Sequence, residues 1–233
     1  MRFQHKIQTF LTKGFWSGIW YAIREIALIV IGVLLAIWFT NLNDARKDKD
    51  LEIKTLRALS AGLRQDSSDI EGNIRALKEI SGRRKKAMQI FEGKMPLDSL
   101  DGGSFISSYV VFLNNIAPYE NLKSVGLDKI TNDSLRTQII TLFELDYRNF
   151  IRMEQQINDS KSEKLNRYSE MGLYHFYQKK SFAAFVQLLA KDKNFVFENF
   201  IAAQKEDMLR NRYLELQPKL NRLIRNVERE CKK

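Results

Sequence analysis

IALIVIGVLLAIWFTNLN, residues 26–43, carries no charge in a chain of which 28% is Lys, Arg, Asp or Glu. Its eighteen residues, at about 1.5 Å each, reach roughly 27 Å as a helix, close to the hydrocarbon thickness of a bilayer. Trp16, Trp20 and Tyr21 precede it and Trp38 lies near its end, where interfacial aromatics anchor a span. A core helix would show a polar stripe, but Ile26–Phe39 is apolar all round. A cleaved signal peptide would close on small residues, but this run closes on Trp38, Phe39, Thr40 and Asn41. The reading is a transmembrane helix over 21–43, with a re-entrant anchor as the alternative, since the strictly apolar part is shorter than the usual ~20 residues.

On the N-terminal side, Arg2, Lys6, Lys13 and Arg24 face one acid, Glu25; on the other side Arg46, Lys47 and Lys49 alternate with Asp44, Asp48 and Asp50. The bias favours a cytoplasmic N-terminus and an exported domain, hence a bacterial inner-membrane protein with its C-terminal domain in the periplasm. Residues 1–20 place Phe3, Ile7, Phe10, Leu11 and Phe15 at helical spacing, which fits a helix on the membrane surface and equally a solvated tail. Gly14, Gly18 and Ala22, then Gly32, Ala36 and Thr40, give small residues every fourth position, a spacing that lets two helices approach closely in lipid. Arg24 and Glu25 point apart on a helix and read as boundary charges whose ends reach water; Glu25 is the candidate intramembrane charge if it is buried.

Beyond Asn43 the chain becomes highly charged, while Leu56, Leu59, Leu63, Ile70, Ile74, Leu77 and Ile80 keep helical spacing towards Phe91. This predicts a long stalk helix over 44–91 continuing from the span, in which Asp66 falls on the apolar seam but is expected to turn outward. Gly62, Gly72 and Gly82 each cost about 1 kcal/mol of helix propensity there. Residues 92–104 (EGKMPLDSLDGGS) interrupt the helix, and further helices are expected over 105–230. These are a short apolar helix over 105–116, a long one opening on the Asn132–Ser134 cap, and a last one from Phe197 to Val227 that Pro218 kinks or breaks. The fold class is all-α: a single N-terminal transmembrane helix running into an elongated antiparallel bundle in the domain over 44–233. The fifteen Phe and eight Tyr read mostly as core knobs.

Two stretches resemble a known family. YAIREIALIVIGVLLAIWFTNLNDARK (21–47) resembles the signature of small single-pass bacterial membrane proteins whose domain function is unknown: a Gly-Glu-Ile start, an Ile-Gly apolar core and an Asn-rich exit before Glu-x-Arg-Lys. YENLKSVGLDKITNDSLRTQII (119–140) resembles that family's second marker, a Leu-Lys-Ser-x-Gly turn leading into another helix. Together they suggest that the resemblance spans nearly the whole chain. The chain departs from the pattern at Arg24, where the family has Gly, and at Leu42 and Asp44. The resemblance implies a membrane anchor with a helical domain and supplies no reaction.

Chemistry-bearing residues are sparse. His5 and His175 are the only histidines and Cys231 the only cysteine, so a zinc site or a Cys–His nucleophile pair is not expected. His175, among aromatics in GLYHFYQ, reads as a packed or partly exposed ring rather than a base. No Glu-x-x-His pair or phosphate-binding glycine loop occurs; Gly102 and Gly103 lack a following Lys and Thr. No enzyme activity, cofactor or metal is expected. The formal charge of +10 raises nucleic acid as a partner, through Arg83, Arg84, Lys85 and Lys86, but this cluster lies near a helix end where cations favour the dipole. The expected partners are the lipid bilayer and a protein or a second copy of the chain, as a scaffold or accessory subunit. The alternative is a ligand-sensing bundle that signals through a partner.

Overall fold

The computed structural model describes residues 4–100, 106, 108–178 and 181–232; the side chains of 4–19, 22 and 98 lie outside the described set. The order is α1 (Gln4–Phe91), α2 (Ala117–Val125), α3 (Asp133–Ile140), α4 (Arg148–Tyr177), α5 (Phe182–Lys191) and α6 (Lys193–Glu230), with one-turn 3-10 segments at Leu97–Ser99 and Leu127–Lys129. A π-helical segment, Thr141–Tyr147, joins α3 to α4. Among the described residues there is no strand, and the chain is all-α as expected.

The chain divides into two units, residues 1–52 and 53–233. The first is the N-terminal part of α1. It contains the one helical stretch among the described residues that is long and apolar enough to cross a membrane, and none of its most apolar window is buried. Residues 1–20 carry the predicted surface helix; from Gln4 the backbone is helical and runs without a break into the rest of α1, and the side chains on which that reading depends lie outside the described set.

The second unit is a bundle of α1, α4 and α6. On α1, residues 56, 59, 63, 66, 70, 73, 77, 80, 84 and 87 repeat at three and four, the seam of a coiled coil. α6 does the same through 195, 199, 202, 206, 209, 213, 216, 220, 223, 227 and 230. The two helices run antiparallel: Ser60 donates to Glu228 (3.1 Å), Ser67 to Asn221 (3.0 Å) and Ser81 to Asp207 (2.8 Å). α4 also opposes α6, with Lys164 donating to Glu198 (3.0 Å) and Lys161 to Glu206 (3.1 Å).

Ends follow local chemistry. α1 stops where Gly93 takes φ +71°, so that its N–H reaches Ile90 O (2.9 Å) and Lys94 N–H reaches Gln89 O (2.8 Å). Gly126, the last residue of Leu-Lys-Ser-Val-Gly, has φ +113°, which turns the chain out of α2. Asn132 caps α3 by accepting from Leu135 N–H, as its sequence position predicts. Pro218 does not break the last helix: α6 continues through it. Pro218 and Leu214, four residues earlier, are both exposed, so the carbonyl left without a donor lies on the wet side, and Leu216 and Leu220 keep the seam buried on either side.

A correction concerns 105–116, whose sequence predicts an apolar helix. Residues 108–116 have no helical structure; exposed Tyr109, Val111 and Leu113 alternate with buried Val110 and Phe112. The segment is a strap in the groove between α1 and α4. The helix after the strap starts with Pro118 in its first turn, where the missing N–H costs nothing. Gly62 makes room for this corner, since a Cβ there would sit 2.9 Å from Pro118 Cγ, whereas Gly72 and Gly82 have open space. Gly72→Ala and Gly82→Ala are therefore expected to stabilise by about 0.5–1 kcal/mol each. Gly62→Ala is expected to be neutral or destabilising by about 1 kcal/mol as overpacking offsets the gain in propensity. Urea midpoints of the three variants measure the difference.

Candidate functional site

The strap carries strand-like backbone with no neighbouring strand, so side chains from both flanking helices supply its hydrogen bonds. Towards α1, Leu113 N–H donates to Asp69 (3.2 Å), Asn115 N–H to Asp66 (2.6 Å), and Val111 C=O accepts from Asn73 (3.1 Å). Towards α4, Phe112 N–H donates to Glu154 (2.9 Å), while Val110 C=O accepts from Asn158 (2.8 Å) and Ser108 C=O from Lys161 (3.2 Å). The backbone groups of odd residues point to one helix and those of even residues to the other, as extended backbone requires. This network is why 108–116 need not coil.

Asp66 is fully buried, in contrast to its expected outward position. Besides Asn115 N–H it accepts the Tyr147 hydroxyl at 2.8 Å. Tyr147 closes the wide π turn, which directs it and Phe143 into the core with ring centroids 5.2 Å apart. Glu154 accepts the Tyr213 hydroxyl from α6. Burial raises the pKa of both carboxyls, against the lowering effect of the backbone N–H groups and the tyrosines, with Asp69 adding repulsion. The folded state therefore holds more protons than the unfolded chain between the free carboxyl value of about 4 and the raised values. Within that window stability is expected to rise as pH falls. Below about 4 it should be lost, because Tyr119 hydrogen bonding holds Glu144 low, and Lys85 and Ser81 hold Asp207 low despite its partial burial. Melting temperatures against pH test this, and Asp66→Asn with Glu154→Gln should flatten the upper window.

The third polar layer separates two apolar clusters, one including Leu77, Ile80, Ile157 and Leu209, the other Ala87, Ile90, Leu165 and Ala202. Between them Arg84 is fully buried, its Nε 2.9 and 3.0 Å from the two oxygens of Glu206. Its Nη1 donates to Asn199 (2.9 Å) and its Nη2 to Ile106 C=O (3.1 Å). Lys161 is also buried and shares the same carboxylate. Two cations thus meet one acid. Burial lowers the pKa of both Arg84 and Lys161, and Glu206 opposes that shift. Within the cluster 83–86, Arg84 points inward, while Arg83 is exposed and Lys85 pairs with Asp207. The heptad seam gives the reason, since position 84 lies on it and positions 83 and 85 do not.

Two cavities open beside this layer along the outer side of the strap and α4. The first, about 200 Å³, is walled by Arg84, Lys161, Ser108, Asn158, Ser162 and Asn166 among others, with no carboxylate among the described residues of its wall. The second, about 370 Å³, shares Tyr109, Asn158 and Ser162 and carries Glu154 and Asp159. Asn158 Nδ2 is engaged by Val110 C=O, and its buried Oδ1 has no partner.

The anchor residues are all in the first unit. Trp20, Tyr21, Ile26 and Trp38 are exposed, Gly32 has no neighbour within 4 Å of a Cβ, and Ala36 C=O accepts from Thr40 (2.9 Å). Trp16 has its backbone in α1 and its side chain outside the described set. Arg24 lies over the Tyr21 ring, 5.7 Å from its centroid, and Glu25 is exposed. Among the described residues no group of His, Cys, Asp and Glu could hold a metal. His175 is half-buried, its Nδ1 3.1 Å from Met171 O, and its ring lies 5.3 Å from Phe185. No protein-family model, curated protein or solved structure matches this chain.

Proposed function

We propose that the protein is a membrane-anchored helical interaction module, a scaffold or accessory subunit of a bacterial envelope complex, with the span over 21–43 and the C-terminal domain in the periplasm. It makes no chemical transformation; it presents the bundle to a protein partner. The observation that carries this reading is apolar surface on one face of the C-terminal end of α4, where Leu173, Tyr174, Phe176 and Tyr177 project into solvent, the last two 83% and 86% exposed. Single exposed apolar residues are ordinary, but four at helical spacing on one element mark a binding surface. The anchor reading draws on the unburied apolar window of α1 and on the family resemblance of its sequence.

The tagged full-length chain, purified from native membranes in mild detergent, should carry a stoichiometric protein partner or form a defined oligomer. Phe176→Ser with Tyr177→Ser should release that partner while leaving the melting temperature within about 2 °C, because exposed substitutions cost little. A lone monomer from the unaltered chain contradicts the proposal. A ligand-sensing bundle that signals through a partner is the second reading, favoured by the cavity beside Arg84 and Lys161.

A further inference from the structure

The polar layer between the two apolar clusters is unbalanced. Arg84 and Lys161, both buried, share the carboxylate of Glu206, which among the described residues leaves one surplus positive charge in a low-dielectric interior. Such a charge is costly unless another anion offsets it. Among the described residues Asp207, Glu198, Asp159 and Glu154 do not supply that anion: Asp207 pairs with Lys85, Glu198 with Lys164, Asp159 lines the second cavity, and Glu154 is taken by Phe112 N–H and the Tyr213 hydroxyl.

The first cavity touches both cations, and among the described residues every other polar side chain in its wall is a hydroxyl or an amide. Lys161 spends two of its three protons on Ser108 C=O and Glu206, leaving one donor. Asn158, held in orientation by Val110 C=O, keeps a buried acceptor with no partner. A cationic donor and an unused acceptor on one wall fit a ligand with an anionic oxygen and a hydroxyl. At about 200 Å³ the cavity falls below the ~300–1,000 Å³ of sites for drug-sized molecules, so the ligand is small. The second cavity repels an anion through Glu154 and Asp159, which confines it to the first.

We propose that the cavity between the strap and α4 binds a small hydroxylated monocarboxylate, its carboxylate completing the charge of Arg84, Lys161 and Glu206 and its hydroxyl donating to Asn158. Of the two functional readings, this rests on ligand sensing and does not depend on the patch at the end of α4. A bound ligand would tie the strap to α4 and to α1 at Arg84, so occupancy would be transmitted as tighter packing of the strap.

The test is thermal unfolding of the full-length chain in detergent, at constant ionic strength, titrated with lactate, glycerate, acetate, inorganic phosphate or glycerol. A saturable rise in melting temperature is expected with lactate and glycerate, smaller with acetate and absent with glycerol. Lys161→Met should remove the response while leaving the ligand-free protein as stable or more so, since it deletes the surplus charge. Ser162→Phe, at an exposed wall position, should block the cavity without touching the charges. Saturation by phosphate alone overturns the carboxylate assignment. No saturable response, or one that persists in both variants, overturns the site. Because the readout is binding to the purified chain, its failure leaves the partner experiment unaffected.

Discussion

Replacing Glu206 by Gln should destabilise the second unit by about 3–5 kcal/mol, as expected when a buried ion cluster loses its one counter-charge among the described residues. The substitution keeps the shape and leaves Arg84 and Lys161 facing each other, both buried, with a neutral amide between them. The cost would come from the two stranded cations and not from the lost packing. Arg84→Met, Lys161→Met and Glu206→Gln together should therefore recover much of the loss, because removing a whole buried ion cluster is often neutral or favourable. Chemical denaturation of the single and triple variants measures both values. A single variant within about 1 kcal/mol of the unaltered protein would mean that water reaches the layer.

Phe112→Ala should cost about 3–5 kcal/mol, the range for a large aromatic removed from a packed core. Phe112 is buried against the π-helical segment, α4 and α6. Its ring lies 5.1 Å from Tyr147, 5.8 Å from Phe150 and 6.4 Å from Tyr213, each edge-on. Losing it frees the strap from the groove, and backbone groups paired with Asp66, Asp69, Asn73 and Glu154 would exchange with water. Limited proteolysis should then cleave within 108–116, where the unaltered protein resists. Val111→Ala, on the exposed side of the same segment, should change stability by no more than about 0.5 kcal/mol.

These two sites differ in how far the sequence announces them. The seam of α1 is legible from Leu56 to Ile80, and continuing its three-and-four rhythm lands on Asp66, Asn73 and Arg84 without any structural information. Turning Asp66 outward follows the usual behaviour of charged residues, and it fails because Asp66, like Asn73 and Arg84, has a partner on another element far along the chain. Glu206, which pairs with Arg84, lies more than a hundred residues away, and no local pattern links the two. Yet position 206 also falls on the α6 seam, so the two rhythms taken together point to a buried acid facing a buried base.

The strap is hidden for another reason. YVVFL offers too short an alternation to separate a strand from an apolar helical turn by period alone. What makes it extended is Glu154, Asn158 and Lys161 on one side and Asp66, Asp69 and Asn73 on the other, and side-chain partners for backbone groups leave no signature in the strap's own sequence. α5, Phe182–Lys191, also escapes the sequence reading, although Ser181 caps it by accepting from Ala184 N–H at 3.2 Å. The caps at Asn132 and Gly93 are legible because their chemistry is local.

The central claim is that residues 21–43 hold this bundle to a lipid bilayer. Native membranes containing the full-length chain are washed with alkaline carbonate and then solubilised in detergent, with the protein followed through each fraction. The account predicts that the chain stays with the membrane pellet through the carbonate wash and is released only by detergent, and that Val30→Asp with Leu34→Asp shifts it to the soluble fraction. Recovery of the unaltered chain in the carbonate supernatant would contradict it.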